Sequence, residues 1–198
     1  IYVDYLQIKM IKKGIILAGG SGTRLSPLTK SVNKQLLPIH DKPMIFYPLS
    51  VMMLANIKKI LMIVNPGQIN NFKSLLGDGS RYGININYKI QDKPRGLPDA
   101  FILGKTFINK DNVALILGDN FFYGQSLTKK LEKSSIHKSG ATIFLKEVSS
   151  PENYGVAKIK KNKIEKIIEK PKKFVSKNAI TGLYFFDKNV SDYANKLN

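Results

Sequence analysis

Uninterrupted apolar runs bounded by turn residues recur along the chain. Between them lie stretches whose apolar positions repeat every three or four residues. "INYKI" at Ile86–Ile90 reads as a strand, while "GIILA" at Gly14–Ala18, "KILMIV" at Lys59–Val64 and "VALILG" at Val113–Gly118 are runs of the first kind. They predict buried strands of parallel type, covered on both faces. Pro43–Ile57 carries a wide apolar face and predicts a helix with Pro43 in its first turn. "NFKSLLGDG" predicts a short helix ending near Gly77, and Pro98–Phe107 and "QSLTKKLEKS" predict two more. "ATIFLKEV" at Ala141–Val148 reads as a strand.

Strands therefore alternate with helices to about residue 150, the pattern of a doubly wound parallel sheet. The rhythm then changes. "YGVAKI", "KIEKIIE" and "TGLYFF" are strands separated by short turns, which predicts an added β-rich layer on the same core. The stretch from Val190 to Asn198 reads as helical, and residues 1–11 read as an N-terminal extension before the first strand.

Composition narrows the function classes. An apolar share of 43% over 198 residues supports a sizeable core. The absence of cysteine removes disulfides and thiolate metal sites, and two histidines, His40 and His137, leave little for a histidine-built zinc site. No run reaches the ~18 apolar residues of a membrane span, and no secretory leader pattern is visible, so a cytoplasmic protein is expected.

The formal charge is +18, yet of 32 basic residues only Arg24, Arg81 and Arg95 are arginine. Sequence-reading nucleic-acid interfaces lean on arginine forks, so a nucleic-acid partner is not expected. The charge suits nucleotides and phosphorylated sugars instead. The densest basic stretch, Lys158–Lys177, holds nine lysines and two glutamates and reads as a solvated face rather than a binding face.

The loop after the first strand, "LAGGSGTRL", places Gly19, Gly20 and Gly22 just beyond the strand's carboxyl end. Ligands bind there in open parallel sheets, and glycine N–H groups can form a concave anion site. A tight turn without a ligand fits the glycines equally well. The dinucleotide fingerprint fails, because Leu25 stands where its third glycine belongs, and the phosphate-binding Walker loop fails as well. Arg24 remains as a directional phosphate fork and Lys34 as a point charge. Asp119 closes a buried strand in "LILGDNFFYG", where it could hold Mg²⁺ against phosphate oxygens or simply form a turn.

"LAGGSGTRLSPLTKSVNKQLLPIHDKPMI" resembles the N-terminal signature of the sugar-1-phosphate nucleotidylyltransferases, and within them the glucose-1-phosphate thymidylyltransferases. "YKIQDKPRGLPDAF", "LILGDNFFYG", "PENYGV", "IEKP" and "ITGLYFFD" resemble later blocks of that family, in its order, so the resemblance covers about residues 12–198. It implies an α/β, Rossmann-like three-layer nucleotidyltransferase fold. The central sheet is mostly parallel and mixed, with an added β-rich sugar-binding part. Residues 12–198 then form the nucleotidyltransferase domain, incomplete at its C-terminus.

The implied reaction transfers the thymidylyl group of dTTP to glucose 1-phosphate, giving dTDP-glucose and pyrophosphate, with Mg²⁺ as cofactor. The implied catalytic residues are Arg24, Lys34 and Asp119, with Asp119 also the metal ligand. Leu17, Gly19, Gly20, Gly22, Thr23, Gln35, Gln91, Pro94 and Gly96 are implied to bind the nucleotide. Leu117, Tyr154, Gly155, Glu169, Lys170, Thr181 and Gly182 are implied to bind the sugar phosphate.

Family members continue further and are expected to add a second metal-binding aspartate and a tail used in homotetramer contacts. Three positions depart from the family pattern beside the base-reading loop: Arg95, Pro98 and Asp99. Ile168 also stands where relatives often carry a second glutamate. UTP, CTP or GTP as donor, another sugar phosphate, and a silent nucleotide-sugar-binding homologue are the alternatives.

Overall fold

The structure, a computed structural model, describes residues 10–20, 22–136, 139–161 and 163–197. His137 and residues 1–9 of the expected extension lie outside them. In chain order the elements are β1 (Lys13–Ala18), β2 (Pro38–Ile39), β3 (Lys42–Pro43), α1 (Phe46–Leu54), β4 (Lys59–Val64) and α2 (Ile69–Leu76). Then follow β5 (Asn85–Ile90), α3 (Leu97–Leu103), α4 (Lys105–Ile108), β6 (Val113–Leu117) and α5 (Leu127–Ser135). The last are β7 (Ala141–Glu147), β8 (Gly155–Lys160), β9 (Lys163–Glu169), β10 (Asn178–Phe186) and α6 (Val190–Asn195).

These elements group into two compact units, one of residues 1–142 with 185–198, the other of residues 143–184. In the larger unit four strands run parallel in the order β5-β4-β1-β6. β1 is bonded on both edges, to β4 from Lys13↔Lys59 to Ala18↔Val64 and to β6 from Lys13↔Val113 to Leu17↔Leu117. A strand so placed is covered on all sides, which is why "GIILA" carries no polar alternation. Ile15, Ile16, Ile60, Met62, Ile63, Val113, Leu115 and Ile116 are fully buried in it.

Two neighbours on β1 show the layering. A Cβ on Gly14 would fall 2.9 Å from Met52 Sδ of α1. On the opposite face Ile15 Cδ1 lies 3.0 Å from where a Cβ of Gly104 would stand. Helices thus cover both faces, and the three-layer expectation holds for this unit.

Two helix expectations need correction. The helix predicted from Pro43 begins at Phe46, and Pro43 lies in β3 instead. Met44 N donates to Leu37 O at 3.0 Å and Ile45 N to Gln35 O at 2.9 Å, so these residues are tied to the preceding segment and cannot start a helix. The helix predicted over Pro98–Phe107 is two helices meeting at Gly104, whose close approach to Ile15 and to Leu61 leaves no room for a side chain.

The smaller unit is antiparallel. β8 pairs with β9 through Gly155↔Glu169, and with β10 through Ala179↔Val156, while β7 pairs with β10. Within the hairpin, Lys158 Nζ and Lys160 Nζ approach the carboxylate of Glu165 at 2.8 and 3.9 Å.

Candidate functional site

Two adjoining cavities, of about 460 and 270 Å³, open at the carboxyl ends of the parallel strands. They share Gly19, Gly20, Gln35 and Asp119 as walls. The larger adds Gly22, Thr23, Arg24, Leu25 and Lys34. The smaller adds Leu17, Gln91, Pro94, Gly96, Leu97 and Leu117. Every catalytic and nucleotide-binding residue expected from the sequence therefore borders one of these two spaces. A further cavity of about 330 Å³ opens at the strands' amino ends beside Lys12, Lys13, Lys59 and Asp111, and contains none of them.

The loop after β1 is shaped by its glycines. Gly22 has φ 60° and is followed by a single 3₁₀ turn, Thr23–Leu25, which carries the exposed Arg24. Thr29 Oγ1 donates to Gly22 O at 2.9 Å and closes the turn. Across the loop, Gly20 N donates to Asn65 Oδ1 at 3.1 Å and Asn65 Nδ2 donates to Gly20 O at 2.8 Å. Asn65 follows β4 directly, so one side chain clasps the loop's backbone in both directions. Sequence reasoning passed over it. The signal was an asparagine just past a buried strand, ambiguous there because "NPG" is turn-forming on its own.

Lys34 is placed by its two neighbours. Asn33 Nδ2 donates to Ala18 O at 3.3 Å and Asn33 Oδ1 accepts from Gln35 N at 2.9 Å. Gln35 Nε2 donates to Gly19 O at 3.1 Å. Asn33 and Gln35 are buried and fasten the turn to the end of β1. Lys34 between them extends to Asp119, Nζ to Oδ2 2.8 Å, with both side chains about one-third exposed, 29% and 33%. Asp119 stands just past β6, whose ladder is prolonged by Gly118 N donating to Leu17 O at 2.9 Å. Gln35 Oε1 is buried without a hydrogen-bond partner, an acceptor in the wall shared by both cavities.

The expected sugar-phosphate residues other than Leu117 lie in the smaller unit. Gly155 pairs with Glu169, and a Cβ on Gly155 would fall 2.7 Å from Glu169 Oε2. Lys170, with φ 41°, donates its backbone N to Tyr154 O at 3.0 Å. These four residues thus meet at one end of the β8–β9 hairpin. Thr181 Oγ1 donates to Phe144 O at 2.8 Å. Tyr184, unnoticed in the sequence, has its phenol pKa raised by burial and then by the negative charge of Glu169, so the two side chains are electrostatic neighbours.

Among the described residues no group of three or more His, Cys, Asp and Glu gathers as a metal site. None of the described helices is long and apolar enough to cross a membrane.

Comparison with known proteins identifies the family. A glucose-1-phosphate thymidylyltransferase of Neisseria meningitidis is 54% identical over 93% of this chain and 65% of its own length. That of Xanthomonas campestris is 53% identical over 92% of this chain and 62% of its own. The chain thus spans somewhat less than two thirds of these relatives. A crystal structure assigned to a glucose-1-phosphate thymidylyltransferase of Bacillus anthracis superposes with a TM-score of 0.88 at 39% identity, over 94% of this chain and 75% of that one. A UDP-glucose pyrophosphorylase complexed with UDP-glucose shares the fold, with a TM-score of 0.78 at 24% identity over 94% of this chain and 80% of that one. The family model for nucleotidyl transferases matches residues 13–198, the stretch that builds both cavities, and the chain belongs to that family.

Proposed function

We propose that the protein to which this chain belongs transfers the thymidylyl group of dTTP to glucose 1-phosphate, releasing pyrophosphate, in the cytoplasm. The observation that carries this reading is the shared cavity wall. Glycine backbone, Arg24 and the Lys34–Asp119 pair border one space, and Gln91 and Gly96 border the space beside it.

The triphosphate belongs in the larger space. Arg24 there grips the departing pyrophosphate, and Lys34 neutralises charge near the transferring phosphorus. The base belongs against Gln91 and Gly96. A phosphate oxygen of glucose 1-phosphate forms a bond to the α-phosphorus while the bond to the bridging oxygen breaks, and pyrophosphate leaves with the electron pair. That nucleophile is already ionised at neutral pH, so positioning and charge neutralisation suffice. We assign Tyr154, Gly155, Glu169, Lys170, Thr181 and Gly182 to the sugar phosphate.

The residues fit a magnesium ion. Mg²⁺ is usually held by one or two carboxylates together with substrate phosphates, and Asp119 offers a partly exposed carboxylate in the cavity wall. When bound there, Mg²⁺ supplies Lewis-acid stabilisation of the phosphate charge. Pyrophosphate release from dTTP, UTP, CTP and GTP with glucose 1-phosphate and Mg²⁺ tests the reading, with Asp119→Ala as control. Turnover led by dTTP and lost in the control is expected. Equal turnover of UTP would remove the thymidylyl assignment.

A further inference from the structure

Gln91 begins just past β5, its backbone N held to Val64 O at 2.9 Å. Its side chain and that of Asp99, on α3, are almost wholly buried, each residue 5% exposed. Gln91 Nε2 donates to Asp99 Oδ2 at 2.7 Å. A carboxylate has no hydrogen to give, so only the nitrogen end of the amide can face it. The oxygen end is therefore turned the other way, towards Gly19. A Cβ on Gly19 would come within 3.1 Å of Gln91 Oε1. Both residues wall the smaller cavity, and no described residue donates to that oxygen. Arg95 Nη1 lies 3.7 Å from the other oxygen of Asp99 and is mostly exposed.

We propose that Asp99 is a positioning residue: it locks the Gln91 amide so that the cavity presents a hydrogen-bond acceptor to the bound base. The site then selects a pyrimidine whose ring N3 carries a hydrogen, thymine or uracil, over cytosine, whose N3 is bare. Cytosine would place two acceptors face to face, and an unpaired buried polar pair is what gives such sites their discrimination. The inference rests on the base lying against Gln91, as in the proposed thymidylyl transfer.

Calorimetric titration of dTTP, dCTP and N3-methyl-dTTP into the chain tests it. The wild type is expected to bind dTTP at least about tenfold more tightly than either of the others. Asp99→Asn and Asp99→Ser can face Gln91 as donor or acceptor. Each is expected to narrow the dTTP to dCTP ratio to within about threefold, because the amide can then turn. In a Gln91→Ala background, Asp99→Asn is expected to leave that ratio where it is. A ratio unchanged in both Asp99 variants, or equal losses for the two nucleotides, overturns the positioning role and leaves the base site standing. Equal wild-type affinity for dTTP and dCTP overturns the base site itself. N3-methyl-dTTP bound as tightly as dTTP by the wild type overturns the inference without any variant.

Discussion

Lys34 Nζ and Asp119 Oδ2 are 2.8 Å apart although 85 positions separate them in sequence. The cation expected to meet phosphate and the anion expected to meet a metal hold one another. With both side chains about one-third exposed, such a pair contributes at most about 1 kcal/mol. Substrate and cation can therefore part it at small cost, and until then neither charge is left without a counterion.

Removing either partner should show in turnover far more than in stability. Lys34→Ala and Asp119→Ala are each expected to lower the rate of pyrophosphate release by roughly 10²–10³. Their thermal midpoints should stay within a few degrees of wild type. The double variant should be scarcely slower than the worse single, because the two act on one transition state. Single-turnover kinetics and a thermal melt check both points.

Asn65 should matter for nucleotide affinity. Asn65→Ala removes both hydrogen bonds to the backbone of Gly20 and leaves the loop to be ordered by the ligand. A rise in KM for the nucleotide of up to about thirtyfold is expected, with kcat less affected, since each of the two lost hydrogen bonds is worth about 1 kcal/mol. Asn65→Asp keeps the acceptor only and should fall between. Steady-state kinetics of both variants decide this.

Gly22→Ala should damage the loop rather than the core. The residue sits at φ 60°, and a Cβ would fall 2.9 Å from Thr29 Cγ2. The strain is expected to cost about 1–2 kcal/mol and to be relieved by displacing the turn that carries Arg24. Nucleotide affinity, read by calorimetry, should fall by more than the melting temperature suggests.

Alkaline pH should loosen the fold through Tyr88. Its pKa is pushed up to about 12, chiefly by burial, against an ordinary value of 10.0. Its hydroxyl donates to Gly77 O at 2.6 Å. Between these two values the unfolded chain releases the phenolic proton while the folded chain keeps it, so stability falls as pH rises from about 10 towards 12. Tyr88→Phe should lose that part of the slope and cost about 1 kcal/mol at neutral pH. Urea unfolding at pH 9 and pH 11 measures both effects.

Much of the larger unit was legible in the sequence because β1, β4 and β6 are buried on both faces. An unbroken apolar run of five or six residues between turn residues fits little besides a strand covered on both sides. That the glycine loop and Asp119 stand at the ends of such strands was legible too, whereas the roles given to them, to Arg24 and to Lys34 are what the family resemblance implies; from the residues alone a plain turn reads equally well. Asn33, Asn65 and the bond from Gln91 to Asp99 were not legible. Each works by a hydrogen bond from one side chain to a partner brought near by the pairing of β1 with β4, for Asn65, or by the path of a loop, for the other two, and periodicity carries no trace of it. The break at Gly104 was hidden for a related reason. A single glycine inside a helical pattern is tolerated, and only the approach of Ile15 and Leu61 shows why it stands there.

The order β5-β4-β1-β6 also has a kinetic consequence. Gly20 and Gln35 are fastened at the end of β1, Gln91 follows β5 and Asp119 follows β6, so the cavity walls come from three strands brought together by pairings distant in sequence. Loop closure must be completed before any of these groups meet, and non-local pairing of this kind forms slowly. Nucleotide affinity should therefore appear late during refolding, after most secondary structure, and its return reports that the strands have found their native neighbours.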